Sequence, residues 1–308
     1  MKKILGTIAL LAALLTITAC QSQDPATPET PTTALSYDLE GNPLTLPDTI
    51  ERIIVLGPSN TELLIAMGFG SNIIATDDWS ASVSGLPSGI PLFDMMTPDV
   101  EQIINLEPDL VFVPGMSQAG GGDPFEPVSA VGITVLYIPT SDSIAAIQDD
   151  IRFIAAVMGA QDIGDELISG MQAEIEAIRA IGETISQRRT VYFEISPAPF
   201  MWTFGTGTFL NEMLEIIGAE NVMSNQQGWT GVSDEIILEA DPDVILTSTD
   251  FLDDPIAEIM SREGWDTLTA VQNGDVFFIC ADASNRPNHN IVRALREMAA
   301  AIYPDYFQ

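Results

Sequence analysis

The stretch DIGDELISGMQAEIEAIRAIGETIS, Asp162 to Ser186, decides how the rest of the chain is read. Its apolar residues Leu167, Met171, Ile175, Ile178, Ile181 and Ile185 recur at spacings of three and four, the period of a helix with one buried face. Gly159 just before it suits the end of an earlier helix, and Arg188-Arg189 just after it form a cationic helix end. At 1.5 Å per residue the rod is about 36 Å long. A rod of that length either packs along one domain or joins two, and its flanks favour joining.

The two flanks repeat one another. On the N-terminal side, Arg52-Ile53-Ile54-Val55-Leu56 is an apolar run stopped by Gly57-Pro58, a buried strand. Ser59-Asn60-Thr61-Glu62 has the capping-box pattern and opens a helix over Leu63 to Met67. Short strands follow at Ile73 to Ala75 and Gly132 to Ile138, with a helix from Val100 and a strand from Leu110 to Val113 between them. On the C-terminal side a strand over Thr190 to Ile195 precedes a helix capped by Thr208 and ended by Gly218. Leu106-Glu107-Pro108-Asp109-Leu110 is echoed by Ala240-Asp241-Pro242-Asp243-Val244, and Gly274 to Ile279 supplies the last strand. Strands alternating with helices imply a parallel sheet in each half. The expected fold is therefore α/β: two Rossmann-like lobes with parallel sheets, joined by one long backbone helix, with a ligand cleft between them. The expected boundaries are an N-terminal lobe over 35–160, a connecting helix over 161–187 and a C-terminal lobe over 188–308.

The leader is informative. Met1-Lys2-Lys3 is cationic, and Ile4 to Leu15 is apolar but short for a membrane span. Residues 1–19 read as a signal peptide. Ile17-Thr18-Ala19-Cys20 resembles the bacterial lipoprotein box, in which the cysteine takes a diacylglycerol; the plainer alternative is a secretory signal with an incidental cysteine. Residues 20–34, rich in Pro, Thr, Ser and acids, read as a flexible tether. The expectation is a monomer on the extracytoplasmic face of the cell membrane, lipid-anchored through Cys20.

Composition excludes several classes. The chain of 308 residues carries 44 acids against 11 Lys plus Arg, a formal net charge of −33, and Lys2 and Lys3 are its only lysines. Such a surface repels nucleic acid and anionic lipid. With Cys20 committed, Cys280 stands alone and reads as a buried strand residue, so no disulfide framework exists. One histidine, His289, cannot build a His-cluster metal site. No cofactor is implied.

The order and spacing of several segments resemble a known family. They are Arg52 to Leu56 with Ser59-Asn60-Thr61-Glu62, Val100-Glu101 leading to Leu106-Glu107-Pro108-Asp109-Leu110-Val111, Gly218-Ala219-Glu220-Asn221-Val222, and the ending Ile302-Tyr303-Pro304-Asp305-Tyr306-Phe307. Together, over residues 35 to 308, they resemble the helical-backbone solute-binding lipoproteins of ABC importers for ferric siderophores, haem and cobalamin. The resemblance implies lobes that move little, an iron chelate, haem or cobalamin as ligand, and a permease and an ATPase as partners. It also implies permease docking through Glu62 on one lobe and Glu215 on the other, with Glu212 a near competitor. The structural alternative for Glu62 is the capping box itself.

Residues just after the strands should wall the cleft. From the first half these are Trp79, Phe93, Met95, Met96, Met116 and Ser117; from the second, Phe200, Trp202, Phe204, Trp229, Asn285, Arg286 and His289. Flat and adaptable apolar groups suit a bulky organic ligand, although Met and Phe commonly end in the core. Arg286 is the only basic residue in this set, so a ligand of low net charge (a corrinoid, a ferric hydroxamate or haem) is expected over a ferric catecholate. His289 is a candidate axial ligand for haem iron or cobalamin, or a hydrogen-bonded helix-start residue. Two rivals remain. Gly115-Met116-Ser117-Gln118-Ala119 loosely resembles a nucleophile elbow, with Ser117 and His289 as a hydrolase pair, but the closing Gly is Ala119 and a glycine run follows. A sensory or adhesion lipoprotein on the same fold is the other.

Overall fold

Two parallel sheets organise the chain from Leu35 to Phe307, the residues described by a computed structural model. The signal segment, Cys20 and the tether lie outside the described residues. The first half runs β1 (Ile53–Val55), α1 (Pro58–Ala66), β2 (Ile73–Asp77), β3 (Leu92–Phe93), α2 (Val100–Asn105), β4 (Leu110–Pro114), α3 (Glu126–Ala130), β5 (Thr134–Ile138) and α4 (Ile144–Val157). Then comes the long helix α5 (Gln161–Gly182). The second half runs β6 (Thr190–Glu194), β7 (Trp202–Phe204), α6 (Phe209–Ile217), β8 (Glu220–Asn221), β9 (Trp229–Gly231), α7 (Asp234–Ala240), β10 (Val244–Thr247), α8 (Pro255–Met260), α9 (Thr269–Asn273), β11 (Val276–Phe278), α10 (Ala281–Ser284) and α11 (Ile291–Ile302).

The strand orders are β3-β2-β1-β4-β5 and β11-β10-β6-β8, every neighbouring pair parallel. Superposing β1 on β6 and β4 on β10 gives the same order in both halves, so the repeat seen in the sequence is a repeat of topology. It extends to the backbone. Glu107 and Asp241 are the only non-glycine residues with positive φ among those described, at 47° and 41°, and each precedes the proline of the echoed segment. Proline disfavours a right-handed residue before it, so each helix ends in a left-handed turn. The following aspartate then ties down the central strand. Asp109 accepts from the amides of Glu51 and Arg52 at 2.8 Å, and Asp243 accepts from Thr190 N at 2.8 Å.

The faces of the sheets explain the rod. Ile53, Val55 and Phe112 of one sheet and Val191, Phe193 and Leu246 of the other belong to one continuous buried cluster that includes α4, α5 and α6. Ile54, Val111 and Phe125 build a separate core on the outer face of the first half, and Tyr192, Ile245 and Trp265 do so in the second. Both faces of each sheet are covered, as parallel sheets require. Helix α5 carries the shared core across. Its buried stripe is Gly164, Ile168, Met171, Ile175, Ile178 and Gly182, while Leu167 and Ile181 are only half-buried, so the stripe is rotated from the expected one at both ends. Its glycines are the reason. A Cβ on Gly164 would stand 2.5 Å from the Cβ of Ala155 in α4, and one on Gly182 would stand 2.3 Å from the carbonyl oxygen of Ile216 in α6. The rod is thus pressed backbone-close onto both halves. It stops at Gly182 rather than Ser186, and Ile185 continues the buried stripe from outside the helix.

Other expectations need adjusting. Helix α1 begins at Pro58, whose fixed φ suits a first helical position, with Gly57 as N-cap and no side-chain cap. The capping box on Ser59 and Glu62 does not form, because Glu62 reaches elsewhere. The antiparallel ribbon β7–β9 was not legible, its strands having three residues each. Cys280 is a half-buried free thiol at the start of α10, just beyond β11.

Candidate functional site

In a βαβ sheet the connections leaving the C-terminal strand ends carry the site. At the end of β2, Asp77 is fully buried. Its carboxylate accepts from the amides of Gly57 at 2.7 Å, Trp79 at 2.9 Å and Ser80 at 3.1 Å, and from Ser80 Oγ at 2.5 Å. One buried carboxyl group therefore ties the first strand–helix turn to the turn bearing Trp79, which stands 73% exposed. Asp94, which is exposed, braces its own turn at the next wall residues. It accepts from the amides of Met96 at 2.7 Å and Thr97 at 3.1 Å, and these bonds hold its pKa below the ordinary value.

The result is a cavity of about 570 Å³ between the two halves. Trp79, Met95, Met96, Met116, Ile138, Pro139 and Asp150 line it from the first half, and Asp250, Asp282, Asn285 and Arg286 from the second. Of the residues expected from sequence, Trp79, Met95, Met96, Met116, Asn285 and Arg286 come together here. Met95 shares itself with the core and is buried, whereas Met96 and Met116 are exposed. Phe93 and Phe204 are core.

Other expected residues stand elsewhere. Ser117 is buried, and its Oγ has no hydrogen-bond partner. Phe200, Trp202 and Trp229 are exposed, 78% in the case of Phe200, but do not line the cavity. Trp229 instead sets its ring edge-on to Phe204 and Phe209, with centroids 6.1 Å and 6.0 Å apart. His289 faces an adjoining cavity of about 390 Å³, shared with Glu62, Ser82, Ser84 and Arg293. Its Nδ1 is buried and unpartnered, and burial lowers its pKa against the opposing pull of Glu62. Ser117 and His289 therefore make no nucleophile–base bond, and the hydrolase reading has no geometry behind it.

Arg286 is not a free cation. One guanidinium nitrogen pairs with Glu62, and the other pairs with Asp282 at 2.5 Å. Glu62 also accepts from Asn288 at 2.6 Å and Asn290 at 2.9 Å. A carboxylate on α1 is thereby bound to the segment that opens α11 in the other half. The second half answers with Glu212 of α6, which accepts from the backbone amide of Ile144, at the start of α4, at 2.9 Å. Glu62 and Glu212 each lie six residues before a left-handed glycine, Gly68 and Gly218, so they occupy equivalent places in the repeat. Each crosses the seam to the start of the other half's last helix. Glu215 is exposed and accepts from Asn211 at 2.7 Å.

Sequence reasoning missed Asp77, Asp150, Asp250 and the Glu62–Arg286 bridge. Among the described residues no His, Cys, Asp and Glu cluster could hold a metal ion, and no helix is long and apolar enough to cross a membrane.

A long seam helix, two parallel sheets and a cleft at their C-terminal ends define a two-lobed binding protein. Residues 53–283 match the periplasmic binding protein family, and the chain belongs to it, as a substrate-binding protein of the ABC-transporter type and not an enzyme. It is 31% identical over 97% of its length to the ABC transporter substrate-binding lipoprotein YvrC of Bacillus subtilis, 97% of which is covered. It is 25% identical to a vitamin B12-binding protein of Vibrio cholerae, covering 83% of this chain and 90% of that one. A crystal structure of a possible iron-binding periplasmic solute-binding protein from Staphylococcus epidermidis superposes with a TM-score of 0.73 at 28% identity, over 82% of this chain and 99% of that chain.

Proposed function

We propose that this chain is the lipid-anchored, extracytoplasmic capture component of an ABC importer, and that it takes a bulky iron complex or corrinoid into the cleft and hands it to a membrane permease. The carrying observation is the cavity wall. An exposed tryptophan and three methionines on one side face a mostly polar wall on the other. Such a wall desolvates a large organic ligand and adapts to its shape. The tryptophan- and aromatic-bearing ribbon β7–β9 with Phe200 leaves further apolar surface beyond the cavity. Anchoring through Cys20 agrees with the lipoprotein description of YvrC.

Docking needs carboxylates that a partner's arginines reach. Glu215 meets that condition. Glu62 does so only by exchanging Arg286, Asn288 and Asn290 for a partner. A better-placed pair is Glu101 and Glu235, both exposed, in the first turns of α2 and α7, the helices that precede the echoed Pro-Asp segments. Crossover helices start at the C-terminal strand ends, so this pair flanks the cleft on its two sides. Uptake of the ligand by cells carrying Glu101→Ala plus Glu235→Ala is expected to fail while the purified variant binds normally. Normal uptake returns docking to Glu62 and Glu215, and normal uptake in cells lacking the protein altogether removes the import reading in favour of a sensory or adhesion lipoprotein.

A further inference from the structure

The charges lining the cleft are unbalanced. Arg286 is the one basic residue in the lining, and both sides of its guanidinium are taken by Glu62 and Asp282. Two more carboxylates line the same cavity without a cation. Asp250 is exposed in the loop after β10. Asp150, on α4, is 6% exposed and accepts only from Ser141 Oγ, itself buried. The nearest arginine on its helix, Arg152, is turned to solvent with Asp149 and does not offset it. A carboxylate held this way pays for its charge in lost hydration. Burial raises its pKa to about 6, with the Ser141 hydroxyl opposing and Asp149 adding to the rise.

We propose that this cleft selects a ligand of zero or positive net charge whose periphery carries amide or ammonium N–H groups, and that Asp150 is the acceptor for one of them. The proposal rests on the import reading and narrows it. An N–H donor from the ligand restores the hydration that Asp150 lacks, through a charge-assisted bond. An anion has no free cation to meet and must shed its water beside Asp150 and Asp250. Haem with its propionates, ferric tris-catecholates and oxyanions are disfavoured on that ground. Two sources fit the shared chemistry: the amide rim of a corrinoid and the cationic chain of a linear ferric hydroxamate.

The test is isothermal titration of the purified protein with cyanocobalamin, ferrioxamine B, haemin, ferric enterobactin and molybdate. The expected result is binding of one of the first two, weakened roughly tenfold or more in Asp150→Asn, as loss of a hydrogen bond to a charged group implies. Which of the two binds names the source. Ser141→Ala, which leaves the carboxylate in place, retains the preference for that ligand and serves if Asp150→Asn does not fold. Preferred binding of haemin, the catecholate or molybdate overturns charge selection and leaves the import reading standing. Unchanged affinity in Asp150→Asn, or loss of the preference in Ser141→Ala, overturns the role of Asp150. Binding of none of the five overturns both readings.

Discussion

Replacing Glu62 by alanine cuts the bridge between α1 and the segment that opens α11. The side chains of Glu62 and Arg286 are only 13% and 16% exposed, so this is not a solvent-screened surface pair. The substitution removes one ion pair and two amide hydrogen bonds, from Asn288 at 2.6 Å and Asn290 at 2.9 Å. Breaking a buried pair costs about 3–5 kcal/mol when the remaining charge is stranded. Arg286 is not stranded, because Asp282, 58% exposed, still holds it. The expected loss is therefore smaller, about 2–3 kcal/mol, with the two orphaned asparagine amides part of it. For a unit of this size that corresponds to a fall in Tm of roughly 3–6 °C. Differential scanning calorimetry reads it directly. A cycle with Arg286→Ala separates the pair from its surroundings, and a coupling of about 1.5 kcal/mol or more is expected. A Tm within a degree of the parent and no coupling would refute the claim that this bridge holds the halves together.

Trp79→Ala is expected to weaken ligand binding about thirtyfold, close to 2 kcal/mol, as for other aromatic anchors, with Tm unchanged because the ring is mostly exposed; titration calorimetry and a melting curve check the two halves of that statement. Arg262→Ala should cost about 3–5 kcal/mol in a denaturant melt, because it leaves Glu194 buried without the two bonds at 2.6 Å and 2.9 Å that now hold it. Asp150 gives a pH signature. Its folded pKa of about 6 lies above its ordinary value of 3.8, so the native state keeps a proton that the unfolded chain has released in between. Stability contributed by this group is present at low pH and falls as pH rises from about 4 to 6, by on the order of 3 kcal/mol, then stays level. Asp150→Asn lacks that fall, so its Tm relative to the parent should climb across the window; a constant difference would contradict it.

The repeat was legible because it rests on local signals: an apolar run, a helix stop, and Pro-Asp before the next strand. The left-handed φ of Glu107 and Asp241 follows from the prolines after them, which is why the sequence echo became a backbone echo. Trp79, Met96, Met116 and Arg286 were legible for a related reason, since residues beyond the C-terminal strand ends face the cleft. The same rule overreached at Trp229, His289 and Ser117, because position after a strand does not say on which side a loop turns. Asp150 was hidden inside a helix, where Gln148-Asp149-Asp150 reads as a solvated acidic face. The partner of Glu62 lies 224 residues away, beyond any spacing rule, and a local capping box offered a plausible substitute. At Leu167 and Ile181 the buried stripe was misjudged because apolar residues were counted and glycines were not. Gly164 and Gly182 lie on the buried face because they are small enough for backbone contact.

A bulky iron complex or corrinoid seated against Trp79 in the cleft between the halves would change the emission of that tryptophan. The most direct measurement is intrinsic tryptophan fluorescence of the purified protein, titrated with cyanocobalamin, a ferric hydroxamate, a ferric catecholate and haemin, with inner-filter controls. Saturable quenching by one of them at a one-to-one ratio, largely lost in Trp79→Ala, is the expected result. No saturable response to any, or a response that Trp79→Ala leaves intact, would contradict capture of such a ligand at Trp79.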